Sequence, residues 1–369
     1  MKILHTGDLH LDSPFSGLDI SRADKRRREL RETFSSMMRY AKEENVQMVV
    51  ISGDVFDSAF VTRETVALLI KEFSSLSCPV VIAPGNHDPA DEGSVWKKTV
   101  FPENVHIFAK NEMSKISFPE LSCDVYGYGF VAPFQQECVL SGSVEDPEKI
   151  NILVCHGDTV SPLSRYAPLP IPALRAFGAD YAALGHIHTP DSANSSLEGV
   201  GAYCGCPEGR DFGECGVKGA VIADIEKGRV ETSFVRFCKR IYEDRSLNID
   251  GAGHVSDVNR ILEENIEKWG YGDEHILRVT LTGAVSPALS IPPSAFTDIE
   301  QKVFFLEVED GTSPTWDADS LKSDKGIRGA LYRELLPSLL SEDGKERKNA
   351  SLALRYGLAA LSGEDISEI

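Results

Sequence analysis

Five short apolar runs in the chain end in residues of the same chemical kind. They are Ile3-Leu4-His5-Thr6-Gly7-Asp8-Leu9-His10, Val49-Val50-Ile51-Ser52-Gly53-Asp54, Val80-Val81-Ile82-Ala83-Pro84-Gly85-Asn86-His87-Asp88, Ile152-Leu153-Val154-Cys155-His156-Gly157 and Ala182-Ala183-Leu184-Gly185-His186-Ile187-His188. Each delivers Asp, Asn or His where a β-strand should stop. A lone histidine at a strand end is ordinarily a satisfied structural residue, but five such endings together are a site signal. Carboxylate, amide and imidazole donors without thiolate suit a borderline-hard divalent cation, Mn²⁺, Fe²⁺ or Zn²⁺, rather than a closed cysteine-zinc site. The eight side chains Asp8, His10, Asp54, Asn86, His87, His156, His186 and His188 are more than one ion needs. Two ions ~3.5–4 Å apart, bridged by a carboxylate, would use them and leave positions for water and a phosphoryl oxygen. The expected chemistry is hydrolysis of a phosphate ester by metal-activated water.

These residues are spread over 180 positions, so the fold must bring them together. From Lys2 to about Lys239, β-rich runs alternate with helical patterns, as βαβ units with helices against a sheet require. Strands are expected at Lys2–Thr6, Val46–Ser52, Pro79–Ala83, Asn151–Cys155 and Asp180–Leu184. Leu30, Phe34, Met37, Met38 and Ala41 recur at helical spacing, as do Val66, Leu69, Ile70 and Phe73. Val221–Ile225 and Val230–Phe237 form a hairpin pattern. Carboxyl ends of parallel strands lie on one edge of a sheet, where open α/β folds build their sites. Past Lys239, alternating strand and helix patterns to about residue 310 suggest a small α+β module. Helical patterns over Pro292–Gln301, Lys325–Ser341 and Lys345–Ser362 complete the chain.

The composition is that of a folded soluble protein: 369 residues, 42% hydrophobic and 26% charged. No run offers the ~18 apolar residues of a membrane span, and the start lacks the pattern of a secretory signal, so a cytoplasmic protein with no membrane contact is expected. The eight cysteines contain no C-x-x-C pair. A net charge of -19 argues against broad electrostatic attraction to nucleic acid, whose phosphates are held by Lys and Arg. Any nucleic-acid partner would have to be held locally.

The motifs D-x-H, G-D, G-N-H-D, H and G-H-x-H stand complete and in order over roughly residues 1–240, and here the chain resembles the calcineurin-like metallophosphoesterases. The resemblance implies an α/β fold, a four-layered β-sandwich flanked by helices. It implies that Asp8, His10, Asp54 and His188 hold one divalent metal ion, and Asp54, Asn86, His156 and His186 a second, with Mn²⁺ first among the candidates. His87 is then the general acid toward the leaving group, held by Asp88. The opening His5–Phe15, Gly53-Asp54-Val55-Phe56-Asp57 and the loop Gly209–Gly219 are similar to the SbcD-type DNA repair nucleases and their YhaO-like bacterial branch. Asp57 stands where archaeal and eukaryotic relatives usually carry His.

That narrower resemblance implies DNA exonuclease or endonuclease activity, with DNA and an SMC-like (SbcC-type) ATPase as partners and a homodimer also admitted. Its domain plan is a nuclease domain at 1–240, an α+β capping domain at 241–320, and a helical tail at 321–369 as a partner-docking segment. The alternative is a phosphatase or phosphodiesterase for nucleotides or other small phosphate esters. Arg26, Arg27 and Arg28, in a basic cluster after the first motif, and Arg210 are candidate DNA contacts, weighed against a solvated helix face. The tail's leucine stripes, Leu331, Leu335, Leu336, Leu339 and Leu340, then Leu352, Leu354, Tyr356, Leu358 and Leu361, suit either core packing or a partner groove.

Overall fold

A computed structural model describes residues 1–286, 289–315 and 318–362. The chain divides into two compact units, Met1–Ile241 and Tyr242–Ile369. The first contains β1 Lys2–Thr6, α1 Ile20–Glu43, β2 Met48–Ile51, α2 Arg63–Ser74, β3 Val80–Ile82, α3 Val95–Lys98 and β4 Val105–Ile107, then β5 Ser114–Phe118, β6 Cys123–Gly127 and β7 Ile150–His156. It continues through α4 Ile171–Phe177, β8 Tyr181–Gly185, α5 Asp191–Ser196 and β9 Gly201–Tyr203 to the hairpin β10 Gly219–Glu226 and β11 Arg229–Arg236.

The strands form two sheets, ordered β11-β10-β1-β2-β3-β4 and β5-β6-β7-β8-β9. Strands β1 to β4 are mutually parallel, as are β6 to β9. Period-two alternation sorts their side chains into layers. Ile3, Met48, Val50 and Val81 meet Val125, Ile152, Val154 and Ala183 between the sheets. On the opposite face of the first sheet, Leu4, Val49, Ile51, Val80 and Ile82 pack with Leu30, Phe34 and Met38 of α1 and Leu69 and Phe73 of α2. Leu153, Cys155, Ala182 and Leu184 of the second sheet pack with Leu174 and Phe177 of α4 and with Ala193. The result is the expected four layers, with Cys155 in a core. The donor-bearing strands belong to two sheets rather than to one edge: β1, β2 and β3 to the first, β7 and β8 to the second.

The long helix α1 starts where the Asp19 carboxylate accepts the N–H groups of Ser21 and Arg22 at 3.0 and 3.1 Å. Thr62 caps α2 by accepting from Thr65 N. His5, buried on β1, lies 2.9 Å from Tyr181 Oη on β8 and 3.1 Å from Ser52 Oγ, linking the sheets. Burial pushes its pKa down to about 3, so it serves as a neutral structural histidine.

The arginine cluster on α1 divides by helical phase. Arg26 is fully buried, where its guanidinium pairs with Glu29 at 2.8 Å and Glu208 at 2.7 Å. It is therefore no DNA contact: Glu208, 182 residues away, folds onto it and also accepts from Thr33 Oγ1 and Lys239 N. Arg240 completes the network on Glu29. Arg27 is half-buried, donating to Pro14 O and pairing with Asp24, while Arg28 is exposed.

The second unit carries β12 Ile241–Asn248, α6 Val255–Trp269, β13 His275–Thr282, β14 Ala284–Val285, α7 Thr297–Glu300, β15 Phe305–Asp310 and β16 Ser313–Pro314, followed by α8 Ala318–Ser323, α9 Ile327–Leu339 and α10 Gly344–Ser362. Its main sheet has the order β12-β13-β15. The helix expected over Pro292–Gln301 is a 3-10 turn, Pro293–Phe296, running into α7. Of the tail stripes, Leu331, Leu335, Leu336 and Leu339 pack with Leu354 and Leu358, so each covers much of the other. Arg355 ties α10 to the α+β module by donating to Leu289 O. Leu340, Leu352 and Leu361 stay exposed. Residues 363–369 of the expected tail lie outside the described residues. No helix among the described residues is long and apolar enough to cross a membrane.

Removing one partner from a buried ion-pair network leaves the other charges stranded in low dielectric. Arg26→Ala is expected to lower unfolding free energy by about 3–5 kcal/mol, read as a fall in the urea midpoint. Arg28→Ala should stay within about 0.5 kcal/mol of wild type. Equal midpoints for the two variants would contradict the assigned burial.

Candidate metal centre

Every expected donor sits at or just beyond the carboxyl end of a strand: Asp8 and His10 after β1, Asp54 after β2, Asn86 and His87 after β3, His156 ending β7, and His186 and His188 after β8. Four of them occupy the sparsely populated left-handed region, with φ of 48° at Asp8, 43° at His10, 50° at Asp54 and 109° at His186. Such strain costs on the order of 1–3 kcal/mol per residue and persists only where surroundings enforce it. Enforcement here comes from backbone hydrogen bonds that lock the turn after β1 onto the turn after β2. Asp8 N donates to Gly53 O at 2.9 Å, His10 N to Asp54 O at 3.0 Å and Leu11 N to Val55 O at 2.8 Å. Gly85 is required because a Cβ there would overlap the Asp54 carboxylate.

Among the described residues, three groups have ligand atoms mutually within 4.8 Å: Asp8, His10 and His188; Asp8, Asp54 and His156; and His10, Asp54 and His87. Asp54 is shared, its Oδ2 lying 3.8 Å from His10 Nε2 and 3.4 Å from His156 Nε2. Asn86 Oδ1 stands 2.9 Å from His156 Nε2. The His186 ring stacks edge-on to His156 at 5.2 Å, and its backbone N–H donates to both oxygens of Asp8.

The hydrogen bonding of the rings tests whether these groups fit cations. His156 Nδ1 lies 2.9 Å from the Ser52 carbonyl, which can only accept, so Nδ1 carries the proton. Nε2 then faces two more acceptors, Asn86 Oδ1 and Asp54 Oδ2. His188 repeats the pattern: Nδ1 is 2.6 Å from Glu214 Oε1, and Nε2 faces His10 Nε2 at 3.3 Å and Asp8 Oδ1 at 3.5 Å. Lone pairs converging in this way repel unless a proton or cation lies among them. The donor set thus fits divalent ions, with the Nδ1 partners orienting each ring.

With the side-chain charges alone, a proton takes the cation's role at His188. Burial opposes it, yet the Asp8 and Glu214 carboxylates raise its pKa to about 10. Burial lowers His10, and lowers His186 to about 4. Burial likewise works against the Asp8 charge, but the neighbouring His188 imidazolium holds Asp8 below the usual carboxylate range.

His87 is exposed, with Nδ1 2.9 Å from the Asp57 carbonyl and its backbone N–H donating to Asp54 Oδ1 at 2.8 Å. Asp88, expected to hold the His87 ring, does something else. Its buried carboxylate accepts the N–H groups of Gly85, Asp54, Val55 and Phe56 at 2.7, 3.2, 2.7 and 3.3 Å, clamping the turn after β3 to the turn after β2. The bend at residues 86–88 leaves Asp88 buried and His87 exposed. Burial and the nearby Asp54 charge push its carboxyl above the ordinary range, against those four donors.

Glu214 was not singled out as a site residue by sequence. It orients His188 and anchors Arg210, whose Nη2 donates to Glu214 Oε1 at 2.7 Å and Nη1 to Asp57 Oδ1 at 3.0 Å. Asp57 also approaches His10 Nδ1 at 3.3 Å. Arg210 therefore braces carboxylates beside two candidate ligands. The i,i+4 spacing of Arg210 and Glu214 was visible, but their contact with His188 is tertiary.

Asp88→Asn puts an amide donor against two of the four N–H groups and is expected to weaken Mn²⁺ binding about 10–100-fold, measured by titration of the purified protein. Unchanged metal affinity with a selective loss on poor leaving groups would instead restore the role of holding His87.

The calcineurin-like phosphoesterase family model matches residues 1–190. An uncharacterized metallophosphoesterase, YhaO, of Bacillus subtilis (strain 168) is 28% identical over 398 residues, covering 100% of this chain and 95% of the relative. A Staphylococcus epidermidis protein named as a subunit of the nuclease SbcCD is 27% identical over 269 residues, covering 62% of this chain and 67% of that protein. Among solved structures, TT1561 of Thermus thermophilus covers 64% of this chain and 99% of its own, at 12% identity and a TM-score of 0.38. The family works with pairs of divalent metals, which is what converging lone pairs from two sheets call for. The chain belongs to the calcineurin-like phosphoesterases and is a metal-dependent phosphoester hydrolase.

Proposed function

We propose that the chain is a Mn²⁺-dependent DNA nuclease that hydrolyses phosphodiester bonds in DNA repair, working beside an SMC-like (SbcC-type) ATPase. The observation that carries this reading is the similarity over 269 residues to a relative named as a nuclease subunit. A cleft of about 630 Å³ supports it, since an acidic protein must hold a phosphate backbone locally: Arg28, Arg39 and Lys71 line it beside Arg31 and Lys239, which pair with Glu64 and Glu32. Carboxylate, amide and imidazole donors without thiolate support Mn²⁺, with Fe²⁺ or Zn²⁺ also accommodated. The unit Tyr242–Ile369 would serve as the cap, and exposed Leu340, Leu352 and Leu361 would be its contact with the ATPase.

Divalent ions held by Asp8, His10, Asp54 and His188, and by Asp54, Asn86, His156 and His186, would supply Lewis acidity toward a phosphoryl oxygen and activation of water. The chain's own residues do the rest. Asp54 Oδ1 fixes the His87 backbone. The Asp57 carbonyl keeps the His87 Nδ1 proton, so Nε2 is the atom that delivers a proton to the leaving oxygen. Gly85 and the Asp88 clamp keep Asp54 in place.

A second reading, hydrolysis of nucleotides or other small phosphate esters, is favoured by one feature. A largely apolar cavity of about 500 Å³ opens beside Asn86 and His87, the size of a small-molecule site.

A metal-by-substrate activity matrix separates the two. Linear DNA should shorten in Mn²⁺, Asp54→Ala should abolish all hydrolysis, and His87→Ala should retain metal while losing about 10²–10⁴-fold on poor leaving groups. Activity confined to nitrophenyl phosphate or nucleotides would select the second reading. The full chain should co-purify with an SMC-like ATPase, and Leu352→Asp should weaken that association; undiminished co-purification would remove these leucines from the interface.

A further inference from the structure

The cavity beside His87 has an aromatic wall that the hydrolytic chemistry leaves unused. From the candidate centre outward, the His186 ring lies 5.1 Å from that of Tyr166, tilted 42°, and Tyr166 lies 5.9 Å from Phe134, tilted 36°. The Arg165 guanidinium stands 4.6 Å over the Phe134 ring. Tyr166 and Phe134 line the same cavity as His87 and Asn86, and Phe134 is 51% exposed. The wall is preorganised: Gln135 N donates to Arg165 O at 2.8 Å and Ala167 N to Gln135 O at 2.6 Å, stitching the two loops together.

A lone exposed phenylalanine is ordinary on a protein surface, but Phe134 stands on the wall of a cavity that His87 and Asn86 also line. A ligand that fits this wall presents a flat apolar face to the rings, carries a phosphoryl group toward His87 and tolerates a neighbouring cation. We propose that Phe134 and Tyr166 form a stacking shelf for the nucleobase flanking the scissile phosphate, with Arg165 meeting the adjoining backbone charge. This rests on the phosphoester reading and deepens it: the preferred substrate is an unpaired nucleotide, whose base is free to leave the duplex and stack. A terminal single-stranded stretch and a free mononucleotide share that chemistry.

The test compares binding of deoxyadenosine monophosphate with that of deoxyribose 5-phosphate to the full chain in Mn²⁺, by calorimetry. The base should strengthen binding about tenfold, as base–aromatic stacking does elsewhere. Phe134→Leu should bring the ratio to about one, and Phe134→Trp should preserve it. Equal affinities in the wild type, or a preference that survives Phe134→Leu, would overturn the shelf. A base preference without shortening of linear DNA keeps the shelf and assigns it to mononucleotides. Shortening without base preference removes the shelf and leaves the nuclease reading intact.

Discussion

Three buried carboxylates, Asp8, Asp54 and Asp88, crowd the strand ends at 1, 1 and 5% exposure. Like charges out of water are tolerated only when something positive or hydrogen-donating is built around them. The fold answers in two ways. Asp88 receives four backbone N–H groups and becomes a structural staple, while Asp8 and Asp54 are ringed by imidazoles that can share cations with them. The positive-φ turns, the glycine at position 85 and the pairing of the first two strand-end turns all follow from the need to hold these groups at close quarters.

The donor residues were legible because strand-end chemistry is local. An apolar run and its terminal polar residues are contiguous, so Asp8, Asp54, Asn86 and His156 announce themselves without any knowledge of what they touch. The strands carrying them were legible for the same reason, to within a residue or two. That they come from two sheets was implied by family resemblance alone, since the same alternation of strands and helices suits one sheet as well as two. Strands β4, β5, β6 and β9 lack a strand-end motif, so nothing local marks them.

The residues that support the donors were harder to see. Asp88 sits beside His87 in sequence, which suggests a partnership, but the bend they share buries Asp88 under four backbone N–H groups and leaves His87 exposed. Arg26 looked like one of a solvent-facing basic row until Glu208, from a distant loop, neutralised it. Glu214 meets His188 across 26 positions. Each is a tertiary contact between residues whose types alone are ordinary, and no spacing rule encodes it.

Building a centre from strand ends also determines where the sequence is free to drift. Insertions in the connections between strands, such as the segment joining β6 to β7, lengthen loops without displacing a donor. A single residue gained or lost inside Gly53–Asp57 would break the register in which Gly53, Asp54 and Val55 accept from Asp8, His10 and Leu11. Descendants of this chain should therefore differ widely in length between motifs while keeping the motifs' internal counts fixed.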